Sequence, residues 1–319
     1  PYCKYYIDQN GSKKPLLNQN KIKTVIKEET LKGSRVLLLA INDNINSLNY
    51  ISNLALVGIV LIKDEIRKEA IEGLNLVKNA HIETIMITGD SKETAIAIGK
   101  EINLIQNKND LVLTSHDLNK LSDEEVSKIL PNIKVIARAL PSDKSRLVKI
   151  AQSNNLVVGM TGDGVNDAPA LKKCDVGFAM GSGTEVAKSA ADIVIMDDNI
   201  LSISKAILFG RTIFKSIRKF IIFQLTVNIC ALTISIIGPF IGINTPITII
   251  QMLWINMIMD TLAGLAFSFE PPLNEYMNEY PKQKDEAIIN KYMYTEILIT
   301  GFYSALICIL FLKLPIVRT

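Results

Sequence analysis

The chain has 319 residues, of which 48% are hydrophobic, and its 35 basic and 32 acidic residues leave a net charge of +3. This length accommodates two domains of ordinary size with a substantial core, and the near balance of charge argues against nucleic acid as a partner. The cysteines Cys3, Cys174, Cys230 and Cys308 form no close pair and have no histidine cluster beside them, so we predict reduced packing residues rather than a zinc site.

Charge is distributed unevenly along the chain. Residues 1–200 mix charged and apolar residues as a soluble domain does, whereas long stretches almost free of charge follow Phe220. The N-terminal PYCKYYIDQN has no charged-then-apolar signal sequence and does not resemble a natural start. We therefore expect a fragment whose N-terminal part is a soluble domain and whose C-terminal part is embedded in a membrane.

Strand-like and helix-like segments alternate in the first 200 residues. Short apolar runs rich in branched residues, Val36–Ile41 and Ala55–Ile62, predict buried strands that begin an α/β part. A helical period over Glu65–Asn79 leads to HIETIMITGD, which predicts a strand ending in a turn. The elements predicted next are a helix at Lys92–Ile102 capped by Asp90 or Ser91, a strand at Lys134–Arg138, a helix at Ser142–Asn154, and strands at Leu156–Met160, Asp175–Ala179 and Asp192–Met196. This alternation predicts a parallel, Rossmann-like sheet with helices on both faces and functional residues at the C-terminal strand ends.

Three segments of membrane-spanning length follow, at about 217–243, 245–269 and 292–312. A long helix is expected to run from Ile200 into the first of them. Four basic residues cluster before this span: Arg211, Lys215, Arg218 and Lys219. Because basic residues are enriched on the cytoplasmic side of membrane spans, they predict that the α/β domain is cytoplasmic. The GINTP connection then lies outside, and Pro271–Lys291 returns as a cytoplasmic loop. The sequence thus predicts a multi-pass protein of the lipid bilayer.

The segment TGDGVNDAP places two carboxylates, Asp163 and Asp167, beside Asn166 in a turn that follows a predicted strand. Carboxylate oxygens and exposed amides at a strand end suit Mg²⁺ holding a phosphate. Any four of these letters would be an ordinary Asp-Gly surface turn. The nine together are a far more specific signal of phosphate chemistry.

Two further patches offer groups for phosphate oxygens. Thr88, Gly89 and Asp90 supply a hydroxyl and main-chain amides, and Lys144 in ALPSDK supplies a compact positive charge. Taken alone, Lys144 is typical of a solvated helix lysine. With TGDGVNDAP, these patches resemble the haloacid-dehalogenase type of phosphoryl-transfer domain, and in detail the phosphorylation domain of P-type ATPases. That resemblance implies that Thr88 and Lys144 bind the phosphoryl group, that Asp163 is a magnesium ligand, and that Asn166 and Asp167 complete the pocket.

Other stretches resemble the same family, so that the likeness covers essentially the whole chain. MGSGTEVAKSAADIVIMDDN is similar to the family's segment leading toward the membrane, and KDEIRKEA to its hinge, although Glu65 replaces a proline common there. KGSRVLLLA is similar to the end of the nucleotide-binding domain, where Arg35 would contact ATP phosphates, and Arg138 falls where the family has a nucleotide-contacting arginine. The resemblance implies Mg²⁺ and ATP as cofactors. It also implies three regions: the end of a nucleotide-binding domain at 1–50, a phosphorylation domain at 51–200 and an all-α membrane domain at 201–319.

The family's phosphorylated aspartate lies in an Asp-Lys-Thr-Gly-Thr sequence, which does not occur in this chain. Without that nucleophile no acyl-phosphate intermediate forms. We therefore expect the printed chain to be inactive by itself.

Oxygen-bearing side chains within the membrane segments suggest an ion site. A charged aspartate near the centre of a spanning helix costs about 2.5–3.5 kcal/mol on insertion scales, so Asp260 demands a function or a partner. Asn256 lies on the same helical face, and Asn228 is at a similar depth in the preceding span, where a helix–helix hydrogen bond is an equal alternative. Such ligands suit a dehydrated hard cation.

QLTVNICA and LWINMIMDTLAGLAFSFEPP are similar to plasma-membrane-type and bacterial calcium pumps. Reticulum-type calcium pumps carry a glutamate where this chain has Ala231. The resemblance therefore implies Ca²⁺ as the transported ion, with one ion per cycle bound through Asn256, Asp260 and a glutamate from a helix outside this sequence.

Several alternatives remain open. Sodium, potassium or proton pumps share the phosphate motifs. Heavy-metal pumps bind soft ions through membrane cysteines, and we expect Cys230 and Cys308 to be isolated, which weakens that alternative. A soluble-type dehalogenase-like phosphatase with a membrane anchor would carry an Asp-x-Asp nucleophile near the start of the α/β domain, and none is found there. A noncatalytic, regulatory pump fragment is a third class.

Overall fold

The computed structural model describes residues 2–31, 33–42, 54–63, 65–243 and 245–314, apart from the side chains of Leu31 and Arg35. Contacts divide the chain into two compact units. The first unit comprises Pro1–Lys78 and Ile82–Ile203, and the second comprises Asn79–His81 and Ser204–Thr319. The assignment of residues 1–50 to a nucleotide-binding domain stays a prediction.

The first unit opens with a mixed four-stranded sheet in the order β2-β1-β4-β3. Its elements are β1 (Cys3–Ile7), β2 (Lys13–Pro15), α1 (Gln19–Leu31), β3 (Arg35–Ile41) and β4 (Leu54–Ile62). Strands β3 and β4 pair antiparallel along their whole length. They confirm the two predicted apolar strands, but they pair with each other in this sheet and are not part of the parallel sheets.

The prediction that both of these strands are buried is wrong. Leu37, Leu38 and Leu39 are each 52% exposed, and Val60 and Leu61 on β4 are also exposed. Apolar residues at successive positions make both faces of the β3–β4 ribbon apolar, because side chains alternate between faces along a strand. Elements among the described residues cover only part of those faces.

A parallel three-stranded sheet in the order β5-β7-β6 follows. The elements of this region are α2 (Lys68–Asn79), β5 (Met86–Ile87), α3 (Lys92–Glu101), β6 (Leu111–Thr114), α4 (Ser115–Asn119), α5 (Asp123–Ile129), a 3₁₀ turn (Leu130–Asn132), β7 (Ile133–Ala137) and α6 (Pro141–Ser153). Central strand β7 is buried on both faces: Ile133 and Ile136 pack with the core of α4, α5 and α6, and Val135 packs with Ala95 of α3. This arrangement confirms a parallel sheet covered by helices on both sides.

A second parallel sheet, β10-β9-β8, completes the first unit. It contains β8 (Gly159–Gly162), a 3₁₀ turn (Val165–Asp167), α7 (Ala168–Leu171), β9 (Val176–Met180), α8 (Glu185–Ala190) and β10 (Ile193–Ile195). The alternating pattern predicts one sheet, whereas the described strands form two. The strand predicted at Leu156–Met160 begins three residues later, at Gly159. The Val158 main chain bonds to Asp175 rather than to a neighbouring strand. Its N–H donates to the Asp175 carboxylate, and its carbonyl accepts from the Asp175 N–H.

The second unit holds the helices α9 (Ile200–Phe240), α10 (Ile249–Ile258), α11 (Gly264–Ser268) and α12 (Lys291–Leu312). A π-helical turn, Met259–Ala263, joins α10 to α11, so the second predicted span is not a regular α-helix. Among the described residues, three stretches are long and apolar enough to cross a membrane: Ile200–Phe240, Ile249–Ser268 and Lys291–Leu312. The long helix expected from Ile200 into the first span is confirmed.

Helices α9 and α12 approach closely at Gly301. A Cβ built there would lie 2.8 Å from Cγ2 of Ile229, so only glycine fits without rearrangement. The thiol of Cys230, which follows Ile229, is in hydrogen-bonding contact with the thiol of Cys308, seven residues after Gly301. All four cysteines are free, but the view that Cys230 and Cys308 are isolated is wrong, since α9–α12 packing brings together residues far apart in sequence.

The basic cluster of α9, at residues 211–219, binds the loop that precedes α12. Arg211 donates to the carbonyls of Tyr276 and Glu279, at 2.6 and 2.8 Å. Lys215 pairs with Glu279 at 2.5 Å, Arg218 pairs with Glu286, and Lys219 pairs with Glu270. These basic residues therefore anchor the loop. They are also the residues from which the sequence predicts the cytoplasmic end of the first span.

Candidate functional site

The TGDGVNDAP loop is built around a buried carboxylate. Asp167 is 6% exposed, and its Oδ1 accepts a hydrogen bond from Nζ of Lys144 at 2.5 Å. Its Oδ2 accepts from the main-chain N–H groups of Asp163 and Gly164, at 3.2 and 3.3 Å. One side chain thus closes the turn after β8 and fixes the lysine beside it.

Glycine is required where this loop folds onto Asp167. A Cβ at Gly162 would lie 2.5 Å from Cβ of Asp167, well inside contact distance. The chain therefore turns tightly enough at the end of β8 to bring the Asp163 N–H to the Asp167 carboxylate. Asp163 and Asn166 themselves are exposed.

The loop before α8 braces Asp163 from the other side. The N–H of Thr184 donates to the carbonyl of Asp163 at 2.8 Å, and the Thr184 hydroxyl caps α8 by accepting from the N–H of Ala187. A Cβ at Gly183 would lie 2.9 Å from both the Asp163 and the Met180 carbonyl oxygens. The Asp163 main chain is therefore held from two directions while its carboxylate stays accessible.

A second group forms where β5 and β7 end side by side. The Thr88 hydroxyl donates to Asp90 Oδ2 and accepts from the Asp90 N–H, both at 3.1 Å. The main chain of Arg138 and Ala139 donates to the Asp90 and Thr88 carbonyls at 3.0 and 2.9 Å. Arg138 has a φ of 52°, an unusual conformation for a residue other than glycine, and its side chain is exposed. Ser91 accepts from the Thr94 N–H and caps α3, as predicted.

A short segment joins the two groups. After Ala139, the Leu140 N–H donates to the Asp143 carboxylate at 2.8 Å, and Pro141 begins α6. Proline suits a first helical position because it has no N–H to satisfy and its φ is preset. Lys144 therefore stands on the first turn of α6, directly after the segment bonded to Thr88.

Several opposing influences set the pKa of Asp167. Burial raises the pKa of this carboxyl, but the hydrogen bond and charge of Lys144 and the N–H groups of Gly164 and Asp163 outweigh burial and hold the pKa below its ordinary value. The carboxyl is therefore ionised at neutral pH. Both of its oxygens accept hydrogen bonds from protein donors, which hold Lys144 and the Asp163 main chain in place.

The structure brings together Lys144, Asp163 and Asp167 in one group, and Thr88, Gly89, Asp90 and Arg138 in the other. Asn166 lies in the 3₁₀ turn beside Asp167. Arg35 begins β3, and its side chain falls outside the described part of the chain. The roles of these residues toward Mg²⁺ and ATP stay predictions.

The sequence reasoning did not assign Gly183 and Thr184 to the site. The segment that contains them was recognised only as similar to a stretch leading toward the membrane. A Ser-Gly-Thr run before a helix indicates an N-cap, but only the fold shows that the capped loop contacts Asp163.

The proposed ion ligands lie in the membrane-length helices of the second unit. Asp260 belongs to the π turn and is exposed, Asn256 stands one turn earlier in α10, and Asn228 is half-buried on α9. Wide π turns inside α-helices are frequent at functional sites. The described residues contain no group of three or more His, Cys, Asp or Glu placed to hold a metal ion.

Family models match residues 14–207 and 244–317 of the chain. Two models of haloacid dehalogenase-like hydrolases match residues 14–175 and 144–207, and a model of the C-terminus of cation-transporting ATPases matches residues 244–317. The first match covers about half of the chain and includes the Thr88 and Lys144 groups.

Curated relatives are similar over almost all of the chain. Plasma membrane calcium-transporting ATPase 4 of Bos taurus is 38% identical over 95% of it, and plasma membrane calcium-transporting ATPase 1 of Homo sapiens is 37% identical over 96%. Calcium-transporting ATPase 9, plasma membrane-type, of Arabidopsis thaliana is 36% identical over 95%. The chain spans only 27% to 30% of the length of these relatives.

The matched regions agree with the fold described above. The dehalogenase-like matches fall on the parallel sheets and the Asp163 loop, and the cation-transporting match falls on the last two membrane-length helices. The chain therefore belongs to the haloacid dehalogenase-like hydrolase family, and its dehalogenase-like domain is followed by a region that matches the C-terminus of cation-transporting ATPases.

Proposed function

We propose that the complete protein uses ATP hydrolysis to transport calcium across a membrane through an aspartyl-phosphate intermediate. One observation carries the proposal: a single chain joins the braced Asp163 loop to a membrane-length helix that bears Asn256 and Asp260. The relatives named as calcium-transporting ATPases support the choice of ion.

In this proposal Asp163 would hold Mg²⁺, and the donor set fits that ion. The Asp163 carboxylate is exposed at a strand end, its main chain is fixed from two sides, and a hard cation prefers such oxygen ligands. When bound, the ion would neutralise charge on the phosphoryl oxygens. Asp167 acts on this ligand indirectly, because it holds the N–H of Asp163 and the ammonium of Lys144.

The phosphoryl group would be bound by Lys144, Thr88 and the amides of the turn at Gly89. The Asp167 contact orients Lys144, whose side chain is still 21% exposed. The Thr88 hydroxyl now donates to Asp90, and a phosphoryl oxygen would replace that carboxylate as its acceptor. Arg138 and Arg35 would contact the ATP phosphates, since guanidinium groups suit phosphate oxygens.

The nucleophile in this proposal is an aspartate in an Asp-Lys-Thr-Gly-Thr sequence, which the printed chain does not contain. The 319-residue chain, expressed by itself and incubated with labelled ATP, is therefore expected to give no phosphoenzyme. A labelled band from this chain alone would contradict the assignment of the nucleophile.

The ion in this proposal is bound by Asn256 and Asp260, with Asn228 at a similar depth. Ala231 supplies no carboxylate, so we expect one Ca²⁺ for each phosphorylation site. Counting bound ⁴⁵Ca²⁺ against phosphoenzyme in the complete protein tests this ratio, and two ions per site would contradict it. The proposal places the first unit in the cytoplasm, in agreement with the basic residues at the start of α9.

The test of the function is cation-stimulated ATP hydrolysis by the complete protein. We expect micromolar Ca²⁺ to stimulate hydrolysis and Na⁺, K⁺ and H⁺ to be ineffective substitutes. Soft cations belong in the same series, because Cys230 and Cys308 lie together between α9 and α12. Stimulation by another cation without stimulation by Ca²⁺ would overturn the proposal.

A further inference from the structure

One side-chain carbonyl oxygen in the membrane-length part of α9 has no hydrogen-bond partner among the described residues. Oε1 of Gln224 is buried and accepts no hydrogen bond from any described residue. An unsatisfied buried polar group costs about 1–3 kcal/mol, and lipid offers no donor to relieve it. An uncompensated carbonyl oxygen at this position therefore calls for a ligand.

The contacts of α9 with α11 set the depth of Gln224. The rings of Phe220 and Phe223 pack on the ring of Phe267, with centroids 6.5 and 6.2 Å apart. At the other end of α9, Gly238 touches Pro246, so the two membrane segments run antiparallel. Residue numbers that rise from Phe220 on α9 and residue numbers that fall from Phe267 on the opposing segment therefore lead in the same spatial direction.

Asp260 lies between the levels of Gln224 and Asn228. With a rise of about 1.5 Å per residue, Gln224 is about 6 Å and Asn228 about 12 Å beyond Phe220. Asp260 is seven residues from Phe267 along the opposing segment, and Gly264, four residues from Asp260, lies beside the Phe220 ring. The same rise puts Asp260 about 6 to 10 Å beyond the Phe220 level.

Gln224 and Asn228 also share one stripe of α9. Residues four apart in an α-helix lie one above the other, and each step turns the helix by about 100°. Thr226 and Ile229, which contact Gly301 of α12, lie on nearly the opposite side of α9. The two amides are therefore turned away from α12.

We propose that the Gln224 side-chain oxygen is a ligand of the transported cation, next to Asn228, Asn256 and Asp260. This assignment rests on the proposed function. A dehydrated Ca²⁺ takes six to eight oxygen ligands. With alanine at position 231, the first span supplies no carboxylate. The Gln224 oxygen would therefore add a neutral ligand beside Asp260 and the glutamate expected from a helix outside this sequence. Gln224 is also nearer than Asp260 to the Phe220 end of α9. An ion that enters from that end would reach Gln224 before Asp260, and an ion that leaves through that end would leave Gln224 last.

The test uses the complete protein with three substitutions. Gln224→Leu keeps the approximate volume and removes the oxygen, Gln224→Glu keeps an oxygen at the same reach, and Thr233→Val is the control. Thr233 lies on the α12 side of α9, and its hydroxyl bonds only within its own helix, to the Ile229 carbonyl at 2.7 Å. Equilibrium ⁴⁵Ca²⁺ binding is measured for each variant, and phosphorylation by inorganic phosphate without Ca²⁺ reports whether the phosphate site is folded.

We expect Gln224→Leu to weaken Ca²⁺ binding by about tenfold or more, in the range seen for lost metal-site partners. Phosphorylation by inorganic phosphate should persist in that variant, Gln224→Glu should bind Ca²⁺, and Thr233→Val should match the unsubstituted protein. Unchanged Ca²⁺ affinity in Gln224→Leu would overturn the Gln224 assignment alone. Equal loss in the Leu and Glu variants would also overturn it, because it indicates an amide needed for packing. Failure of the unsubstituted protein to bind Ca²⁺ would instead contradict the proposed function.

Discussion

Two aspartates four residues apart have different surroundings, and we propose different roles for them. Asp163 presents an exposed carboxylate, whereas Asp167 is buried and spends both oxygens on Lys144 and on main-chain N–H groups. The sequence alone made both aspartates candidates for the same magnesium pocket. Burial separates them into a candidate ligand and the residue that positions it.

The first prediction compares substitutions at these two positions. Asp167→Asn puts an NH₂ group against either the Lys144 ammonium or the two N–H donors, so we expect a loss of about 1–3 kcal/mol in stability, seen as a lower unfolding temperature. Asp163→Asn changes an exposed group and should leave the unfolding temperature nearly unchanged. In the complete protein, it should weaken Mg²⁺-dependent phosphorylation. Equal unfolding temperatures for the two variants would contradict the division of roles.

The second prediction concerns pH. The pKa of Asp167 is lower in the folded protein than its ordinary value, so its ionised form stabilises the fold above about pH 4. That contribution is lost as the pH falls through the lowered folded-state pKa. Unfolding temperatures of the unsubstituted protein and Asp167→Asn, measured from pH 7 to pH 3, should therefore converge at the acidic end. A gap that stays constant over this range would show that the Asp167 charge contributes nothing.

At the scale of elements, the loops before α7 and α8 support each other. The third prediction is that Gly183→Ala displaces the Asp163 main chain, because the new Cβ would lie 2.9 Å from the carbonyl oxygens of Asp163 and Met180. We expect a lower unfolding temperature and, in the complete protein, phosphorylation that requires a higher Mg²⁺ concentration. Gly164→Ala is the matched control, since its Cβ would be no closer than 3.8 Å to Asp167. A Gly183→Ala variant as stable as the control would contradict the bracing role of this loop.

The fourth prediction tests the packing of α9 on α12. Gly301→Ala must push the helices apart, because its Cβ would lie 2.8 Å from Ile229. Gly210→Ala, also within a helix, meets nothing within 4 Å and should stabilise the protein by about 0.5–1 kcal/mol through helix propensity. In detergent, the unfolding temperature is expected to fall in Gly301→Ala and to rise in Gly210→Ala. A shift in the same direction would mean that α9 and α12 do not pack closely at Gly301.

Local sequence signals predicted most single elements. The Ser91 cap, the strand at β7 and the long helix from Ile200 follow from short-range patterns, and all three are present. Pairing between distant segments was not predictable in the same way. The antiparallel partnership of β3 with β4, the contact of Thr184 with Asp163 and that of Cys230 with Cys308 depend on the tertiary fold.

The shift of β8 has a similar cause. The apolar run from Leu156 predicts an earlier strand start, but the Asp175 side chain captures the N–H of Val158. A carboxylate seventeen residues later in the chain decides where the ladder begins. Hydrophobic periodicity carries no information about such a bond.

At the scale of the whole molecule, phosphate chemistry and ion binding are assigned to different units of one chain. The Asp163 loop belongs to the first unit, and Asp260 belongs to the second. Transport requires that phosphorylation change the ion affinity, which is a coupling free energy between two sites. Helix α9 is continuous from Ile200 to Phe240, so its first residues and the Gln224 stripe lie on one helix.

The fifth prediction is the one that tests the calcium pump most directly: ⁴⁵Ca²⁺ uptake by the complete protein reconstituted into sealed lipid vesicles. We expect uptake that requires ATP and Mg²⁺ and is lost in Asp260→Asn, although that variant still accepts phosphate from inorganic phosphate. ATP hydrolysis without Ca²⁺ uptake, or undiminished uptake by Asp260→Asn, would contradict the account.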